Sequence, residues 1–211
     1  MSATTLSQNL SKKNPCRFGG RFDKYKVCRT DGKWSSKYGK DINDWDIAPP
    51  KEYFDELFRV SQKVIIWGGN YFDLPPSSNF IVWVKKTISE NFSMAMAEYA
   101  WTNISGNAKV FEMPPQNKYR FHPTQKPVEL YSFLIKHFAQ DGDNILDTHL
   151  GSGSSRIAAH DMGYDFVGVE LNETYFELQE NRFTEHIAQK ELFEFRDGKV
   201  HEMDLDLREE K

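Results

Sequence analysis

The stretch Asn144-Ile145-Leu146-Asp147-Thr148-His149-Leu150-Gly151-Ser152-Gly153-Ser154-Ser155-Arg156 constrains this chain more than any other. It opens as a short apolar run, which suits a buried strand. It then passes through small residues and re-emerges as Ile157-Ala158-Ala159, which suits a helix. A strand, a glycine-rich turn and a helix N-terminus leave backbone N–H groups facing a concave site. Gly151 and Gly153 let the backbone turn tightly and approach a ligand, because neither carries a Cβ. A second apolar run, Phe166-Val167-Gly168-Val169, ends in Glu170. An acidic residue about 20 positions past such a loop is the usual partner of ribose hydroxyls. The pattern predicts a site for a nucleoside-bearing cofactor.

Charge and shape decide between cofactors. A dinucleotide loop reads G-x-G-x-x-G, and its third glycine allows close packing of helix on strand. Here the charged, bulky Arg156 stands in that third place. Asp147 precedes Gly151, and a carboxylate there sits badly beside a pyrophosphate but well beside a cationic amine or sulfonium. S-adenosylmethionine (SAM) carries a ribose, an α-amino group and a sulfonium, so the residues favour SAM over NAD. An unliganded glycine turn is the plainer alternative.

The 211 residues are 39% hydrophobic and 14% aromatic, enough to bury one sizeable core. No apolar run is long enough to span a membrane, and Met1–Thr5 lacks the apolar core of a signal peptide. Cys16 and Cys28 form neither a disulfide framework nor a metal-binding pattern, and they suit a reducing cytoplasm. The net charge of −4 hides a strong asymmetry. Between Lys12 and Lys40, ten basic residues face only Asp23 and Asp31, a local charge of +8. Arg17, Arg21, Lys24, Lys26 and Arg29 alternate there with Phe18, Phe22 and Tyr25. Basic side chains reach phosphates and aromatic rings stack on exposed bases, so residues 17–45 read as a nucleic-acid-contacting loop. A solvated charged loop is the alternative reading of the same composition.

The coarse pattern along the chain is α/β. Residues 1–13 are polar and are expected to be disordered; residues 14–189 are expected to form one domain, followed by a charged tail over 190–211. A helix is predicted from Lys51 to about Ser61, and strands over 63–67, 79–84, 94–102 and about 110–113, with Met94 and Met96 in the core. Asn70 and Tyr71 follow a strand end, where open sheets gather ligands, although turn chemistry explains them equally well. Thr124 is expected to cap a helix beginning near Pro127, with Leu130, Phe133, Leu134 and Phe138 on its apolar face. His122 reads equally as a functional residue or as a loop histidine with a structural hydrogen bond. Asn172 is expected to cap a helix running to about Gln189.

Three segments in order carry a family resemblance: Phe121-His122-Pro123-Thr124-Gln125-Lys126-Pro127, Ile145 to Ser154, and Val167-Gly168-Val169-Glu170-Leu171. Together they resemble the permuted (beta-class) DNA amino-methyltransferases, which methylate adenine N6 or cytosine N4. Trp67-Gly68-Gly69-Asn70-Tyr71-Phe72 and Arg17-Phe18-Gly19-Gly20 look similar to segments of the short phage- and prophage-type enzymes. The resemblance implies a Rossmann-like SAM-dependent methyltransferase fold, with a mainly parallel sheet flanked by helices. It implies SAM as cofactor, lined by Asp147, His149, Gly151, Ser152 and Gly153, with Glu170 on the ribose and Thr124 and Lys126 near the methionine end. It further implies double-stranded DNA as partner, a base flipped from the duplex, and a homodimer, since dimers are common in that family.

One segment departs from the pattern. The family's catalytic motif is Asp/Asn/Ser-Pro-Pro-aromatic after a hydrophobic strand, and here only Asn14-Pro15-Cys16-Arg17 occupies the place. Matched on Asn14, the motif has Cys16 for a proline and Arg17 for the aromatic. Matched on Cys16, it has Lys13 where a hydrogen-bond acceptor belongs, and an ammonium cannot accept. Over residues 6–13 only Leu6 and Leu10 are apolar, so the N-terminal part reads as shortened, without its first strand. Three functions follow: an active DNA methyltransferase, with adenine N6 favoured and Asn14, Pro15 and Cys16 as catalytic segment; a SAM- and DNA-binding relic of that family; and an NAD-dependent oxidoreductase, against which Arg156 and the HPTQKP segment speak.

Overall fold

The computed structural model describes residues 3–7, 48–91, 95–115 and 120–196. Seven strands, β1 (Ala3–Ser7), β2 (Lys63–Trp67), β3 (Phe80–Val84), β4 (Ala97–Thr102), β5 (Lys109–Glu112), β6 (Asn144–Asp147) and β7 (Phe166–Gly168), form one sheet. Their spatial order is β5-β3-β4-β2-β1-β6-β7. The pairs β1–β2, β1–β6, β6–β7 and β3–β5 are parallel, while β4 runs antiparallel to both β2 and β3. The sheet is therefore mainly parallel, as the family resemblance implies. Among the described residues four helices accompany it: α1 (Lys51–Val60), α2 (Val128–Phe138), α3 (Ser154–Asp161) and α4 (Glu173–Arg196).

Strand β2 shows why the sheet is covered on both faces. Successive side chains of a strand point to opposite sides. Ile65 and Trp67 join Leu130, Leu134, Ile135 and Ala158 of α2 and α3. Val64 and Ile66 join Leu57 of α1 and Trp101 of β4. A strand buried on both faces reads as an unbroken apolar run, and Val64-Ile65-Ile66-Trp67 does so. After β2 the chain turns sharply at Gly69, where a Cβ would lie 2.3 Å from Trp101 Cβ, so only glycine fits.

Five expectations are corrected. A strand does lie in front of Asn14: β1 sits between β2 and β6, with Thr4 and Thr5 opposite Lys63 and Val64 on one side and Ile145 and Leu146 on the other. It starts at Ala3, upstream of the apolar-poor window. Its two β-branched threonines favour extended backbone, and ladders on both sides pair its N–H and C=O groups. The disordered stretch 1–13 is thereby overturned at residues 3–7. Thr124 is not a helix cap: α2 begins after Pro127 with no side-chain cap. Met96 is exposed rather than core. Helix α4 continues seven residues beyond Gln189, to Arg196, so the tail starts later than predicted. Asn172 does cap that helix, its Oδ1 accepting from Tyr175 N at 3.0 Å.

Strand order turns the sheet into a site. From β1 the chain moves toward β2, whereas β6 and β7 lie on the other side of β1. The order reverses between β1 and β6, and the carboxyl ends of strands flanking such a switch point frame the ligand crevice of open α/β sheets.

Candidate cofactor site

At the end of β6 the backbone enters the glycine loop. Leu150 N donates to Val169 O and Val169 N to Asp147 O, each at 2.9 Å, which stitches the loop to the chain leaving β7. The Asp147 side chain is fully buried. One of its oxygens accepts from His149 N at 2.9 Å and the other from the Ser155 hydroxyl at 2.5 Å. Its carboxylate thus binds the loop to the first turn of α3. Gly151 and Gly153 both adopt positive φ, 54° and 72°. A Cβ at Gly153 would come within 3.0 Å of Gln179 Oε1 on α4. Arg182 of α4 donates to Ser152 O at 2.7 Å and to Ser154 Oγ at 2.9 Å. The half-buried Glu170 accepts from Gly151 N at 2.8 Å with one oxygen and from Asn172 N at 2.9 Å with the other. A carboxylate has about four lone-pair sites, which leaves acceptor capacity for ligand hydroxyls.

The flank of the loop carries His149. Its Nδ1 lies 3.1 Å from Thr148 Oγ1 and 3.4 Å from the hydroxyl of Tyr53, which itself contacts Thr148 Oγ1 at 2.7 Å. Burial lowers the His149 pKa below its ordinary value and favours the neutral ring.

The HPTQKP segment forms the facing wall. The Ser154 hydroxyl donates to Lys126 O at 2.8 Å, so the segment is fastened to the start of α3. His122 is buried and packs edge-on against Tyr175, ring centroids 4.3 Å apart. Its Nδ1 accepts from Thr124 N at 3.3 Å and lies 3.1 Å from Thr124 Oγ1. Burial, with the neighbouring charges of Arg120 and Lys126, pushes its pKa down to about 3, so the ring is neutral. The Lys126 side chain is 3% exposed, with its ammonium 3.2 Å from Glu98 Oε2 on β4 and 5.4 Å from the Trp67 ring. Among the described residues two buried polar atoms on this side have no hydrogen-bond partner: Trp67 Nε1 and the Tyr131 hydroxyl. Burial, then the charges of Asp147 and Glu98, hold the Tyr131 pKa well above its ordinary value.

The structure thus brings the loop residues Asp147, His149, Gly151, Ser152 and Gly153 together with Glu170, which follows β7, and places Thr124 and Lys126 on the facing segment. Asn14, Pro15, Cys16, Arg17, Phe18, Arg21, Phe22, Lys24, Lys26 and Arg29 lie outside the described residues. Arg156 contacts α4: its guanidinium meets Glu180, donates to Gln179 Oε1 at 3.0 Å and stacks 3.8 Å from the Phe183 ring. Sequence reasoning passed over Glu98, Lys85, Tyr131 and Arg182. A signal was there, because a charge within or directly after an apolar strand, as at Glu98 and Lys85, needs a partner. A separate cavity of about 320 Å³, lined by Phe58, Pro75, Pro76 and Trp101 among others, lies toward the opposite end of β4 from the loop. Among the described residues no His, Cys, Asp and Glu cluster can hold a metal. No described helix is long and apolar enough to cross a membrane.

The loop stands at the switch point of an open α/β sheet, which makes it a candidate nucleotide-type site. The sequence model of the DNA methylase family matches residues 48–181, and the chain belongs to that family. Type II methyltransferase M2.MboI of Moraxella bovis is 28% identical over 141 residues, 65% of this chain and 46% of the relative. Type II methyltransferase M2.DpnII of Streptococcus pneumoniae is 36% identical over 61 residues, 29% of this chain and 23% of the relative. The chain spans less than half the length of these relatives. Among solved structures, the M1.HpyAVI–SAM complex aligns with a TM-score of 0.49 at 21% identity, covering 64% of this chain and 84% of that one. The cytosine-N4-specific PvuII DNA methyltransferase aligns with a TM-score of 0.49 at 11% identity, covering 88% and 84%.

Proposed function

We propose that this chain is a SAM-dependent DNA methyltransferase acting on an exocyclic amino group in double-stranded DNA, adenine N6 in preference to cytosine N4. The observation that carries the reading is the meeting, at the carboxyl end of β6, of the Asp147–Gly153 loop, Glu170 and Lys126, with β1 alongside. The residues present fit the cofactor. Gly151 and Gly153 offer close backbone approach, Glu170 keeps acceptor capacity for a ribose, and Lys126 supplies an ammonium for a carboxylate. Two buried orphan polar atoms, Trp67 Nε1 and the Tyr131 hydroxyl, mark the same wall as polar. SAM, when bound, supplies an electrophilic methyl group on a sulfonium.

The protein's own part is to position and to accept. Glu170 would bind the ribose hydroxyls, Thr124 and Lys126 the amino-acid end. Asp147 would hold the loop in shape and give the sulfonium neighbourhood a negative charge. Strand β1, parallel to β6, ends at Ser7, which is seven positions before Asn14 in the sequence. Asn14 would accept a hydrogen bond from the target amino group, with Pro15 and Cys16 completing the segment. Phe18 or Phe22 would stack on the flipped base, while Arg17, Arg21, Lys24, Lys26 and Arg29 would neutralise phosphates. A cytoplasmic location and a homodimer accord with this reading.

One observation favours a second reading, a SAM- and DNA-binding relic: matched on Asn14, the motif has Cys16 and Arg17 for a proline and an aromatic, and matched on Cys16 it has Lys13 for the acceptor. Transfer of labelled methyl from SAM to unmethylated duplex DNA, followed by digestion to nucleosides, separates the two. Label in N6-methyladenine is the expected result. No label, with SAM and salt-sensitive DNA binding intact, establishes the relic.

A further inference from the structure

Glu98 lies on β4, outside the loop and outside every motif of the sequence, yet it meets Lys126 of the facing segment. Its Oε1 is 2.6 Å from Lys85 Nζ and its Oε2 is 3.2 Å from Lys126 Nζ. Both lysines are buried, 7% and 3% exposed at the side chain. Each ammonium also sits over an indole: Lys85 is 5.2 Å from the Trp83 ring and Lys126 is 5.4 Å from that of Trp67. The two indoles pack edge to face, centroids 6.5 Å apart. One carboxylate therefore serves two buried ammoniums on a rigid aromatic floor. A buried lysine without a counter-charge loses its proton readily.

We propose that Glu98 is a positioning residue for Lys126: its carboxylate, shared with Lys85, holds the Lys126 ammonium in place and charged, where it meets the carboxylate of the ligand's amino-acid end. This rests on the cofactor reading above. The arrangement leaves the lysine pair one negative charge short, and the ligand's carboxylate supplies it. The groups that face Lys126 are Glu98 and Lys85 across the sheet and Arg120 from its own segment. Glu98 also acts on Tyr131 of α2, whose hydroxyl feels Asp147 and Arg182 as well. Burial lowers the Lys126 pKa, Glu98 opposes that drop, and Lys85 and Arg120 add to it. The two lysines hold Glu98 ionised, its pKa lowered to about 2 against the opposing effect of burial.

The test follows the Lys126 proton directly and the ligand separately. Lysine labelled with ¹³C at Cε is titrated by NMR in the full chain, with Lys126 identified by the signal lost in Lys126→Arg. In Glu98→Gln the Lys126 midpoint falls by at least about one pH unit, a tenfold drop in proton affinity. Glu98→Asp keeps the charge and recovers most of it. Lys85→Met, which frees Glu98 for Lys126 alone, moves the midpoint up and serves should Glu98→Gln fold poorly. In parallel, calorimetry with SAM shows Glu98→Gln close to wild type in mild acid and more than tenfold weaker in alkali. An unchanged Lys126 midpoint overturns the proposal, as does an affinity loss equal at every pH, the mark of a merely structural role. If the wild type binds no SAM, the cofactor reading falls, while the NMR arm still decides whether Glu98 governs Lys126.

Discussion

On the β6–β7 side of the crevice, the carboxylates of Asp147 and Glu170 accept from three backbone N–H groups and one hydroxyl. On the β2–β4 side, Glu98 accepts from two buried ammoniums, and the neutral His122 accepts from the backbone of Thr124. Donors of the first wall do not titrate near neutrality, so its shape depends on backbone conformation. Donors of the second wall are lysines taken out of water, so its shape depends on charge and therefore on pH. One crevice thus combines a rigid cradle suited to a nucleoside with an electrostatic wall suited to a charged amino-acid end.

Removing Asp147 breaks the rigid wall most severely. Asp147→Ala strands the buried His149 N–H and Ser155 hydroxyl, which costs about 3 kcal/mol, and it abolishes SAM binding. Urea unfolding and calorimetry measure the two effects, and unchanged SAM affinity would remove Asp147 from the site. Gly153→Ala comes next. A residue with a Cβ at φ 72° must also displace Gln179, and the left-handed conformation alone costs roughly 1–2 kcal/mol. A melting point lower by about 4 °C is expected, with SAM binding weakened.

The second wall is tested by acid. The His122 pKa is depressed in the folded chain, from 6.5 to about 3. Its neutral ring therefore contributes stability that is present above pH 6.5 and is lost as the pH falls from there toward 3. One proton corresponds to a slope of about 1.4 kcal/mol per pH unit. His122→Gln flattens the stability profile in that window by up to this amount, as read from urea midpoints at a series of pH values. Glu98 acts lower down, its contribution being present above pH 4.5 and lost as the pH falls toward 2. The smallest effect is expected at Arg156→Ala. It removes the contacts to Glu180 and Phe183 at a cost of about 1 kcal/mol and leaves SAM affinity unchanged, since Arg156 faces α4.

The rigid wall was legible in the sequence because its chemistry is local. Strand, glycines, helix start and Glu170 lie within one short span, and each residue type has a backbone reason to be there. The same holds for β2, whose apolar run announces burial on both faces. Strand β1 was not legible, because Ala-Thr-Thr-Leu-Ser is paired through its backbone and has little hydrophobic signal. Nor was Thr124 read correctly as a cap, since spacing to Pro127 suggested a role that its hydroxyl spends on His122. The electrostatic wall was half legible. Lys126 stands in a motif, but its partner Glu98 is 28 residues earlier on an antiparallel strand, and only the packing of the Lys126 segment against that strand brings them together.

A calorimetric titration of SAM, and separately of NAD, into the wild-type chain tests the central claim most directly. The account predicts SAM binding at one site per chain and no heat from NAD. NAD binding without SAM binding would contradict it, and would return the glycine loop to a dinucleotide site despite Arg156.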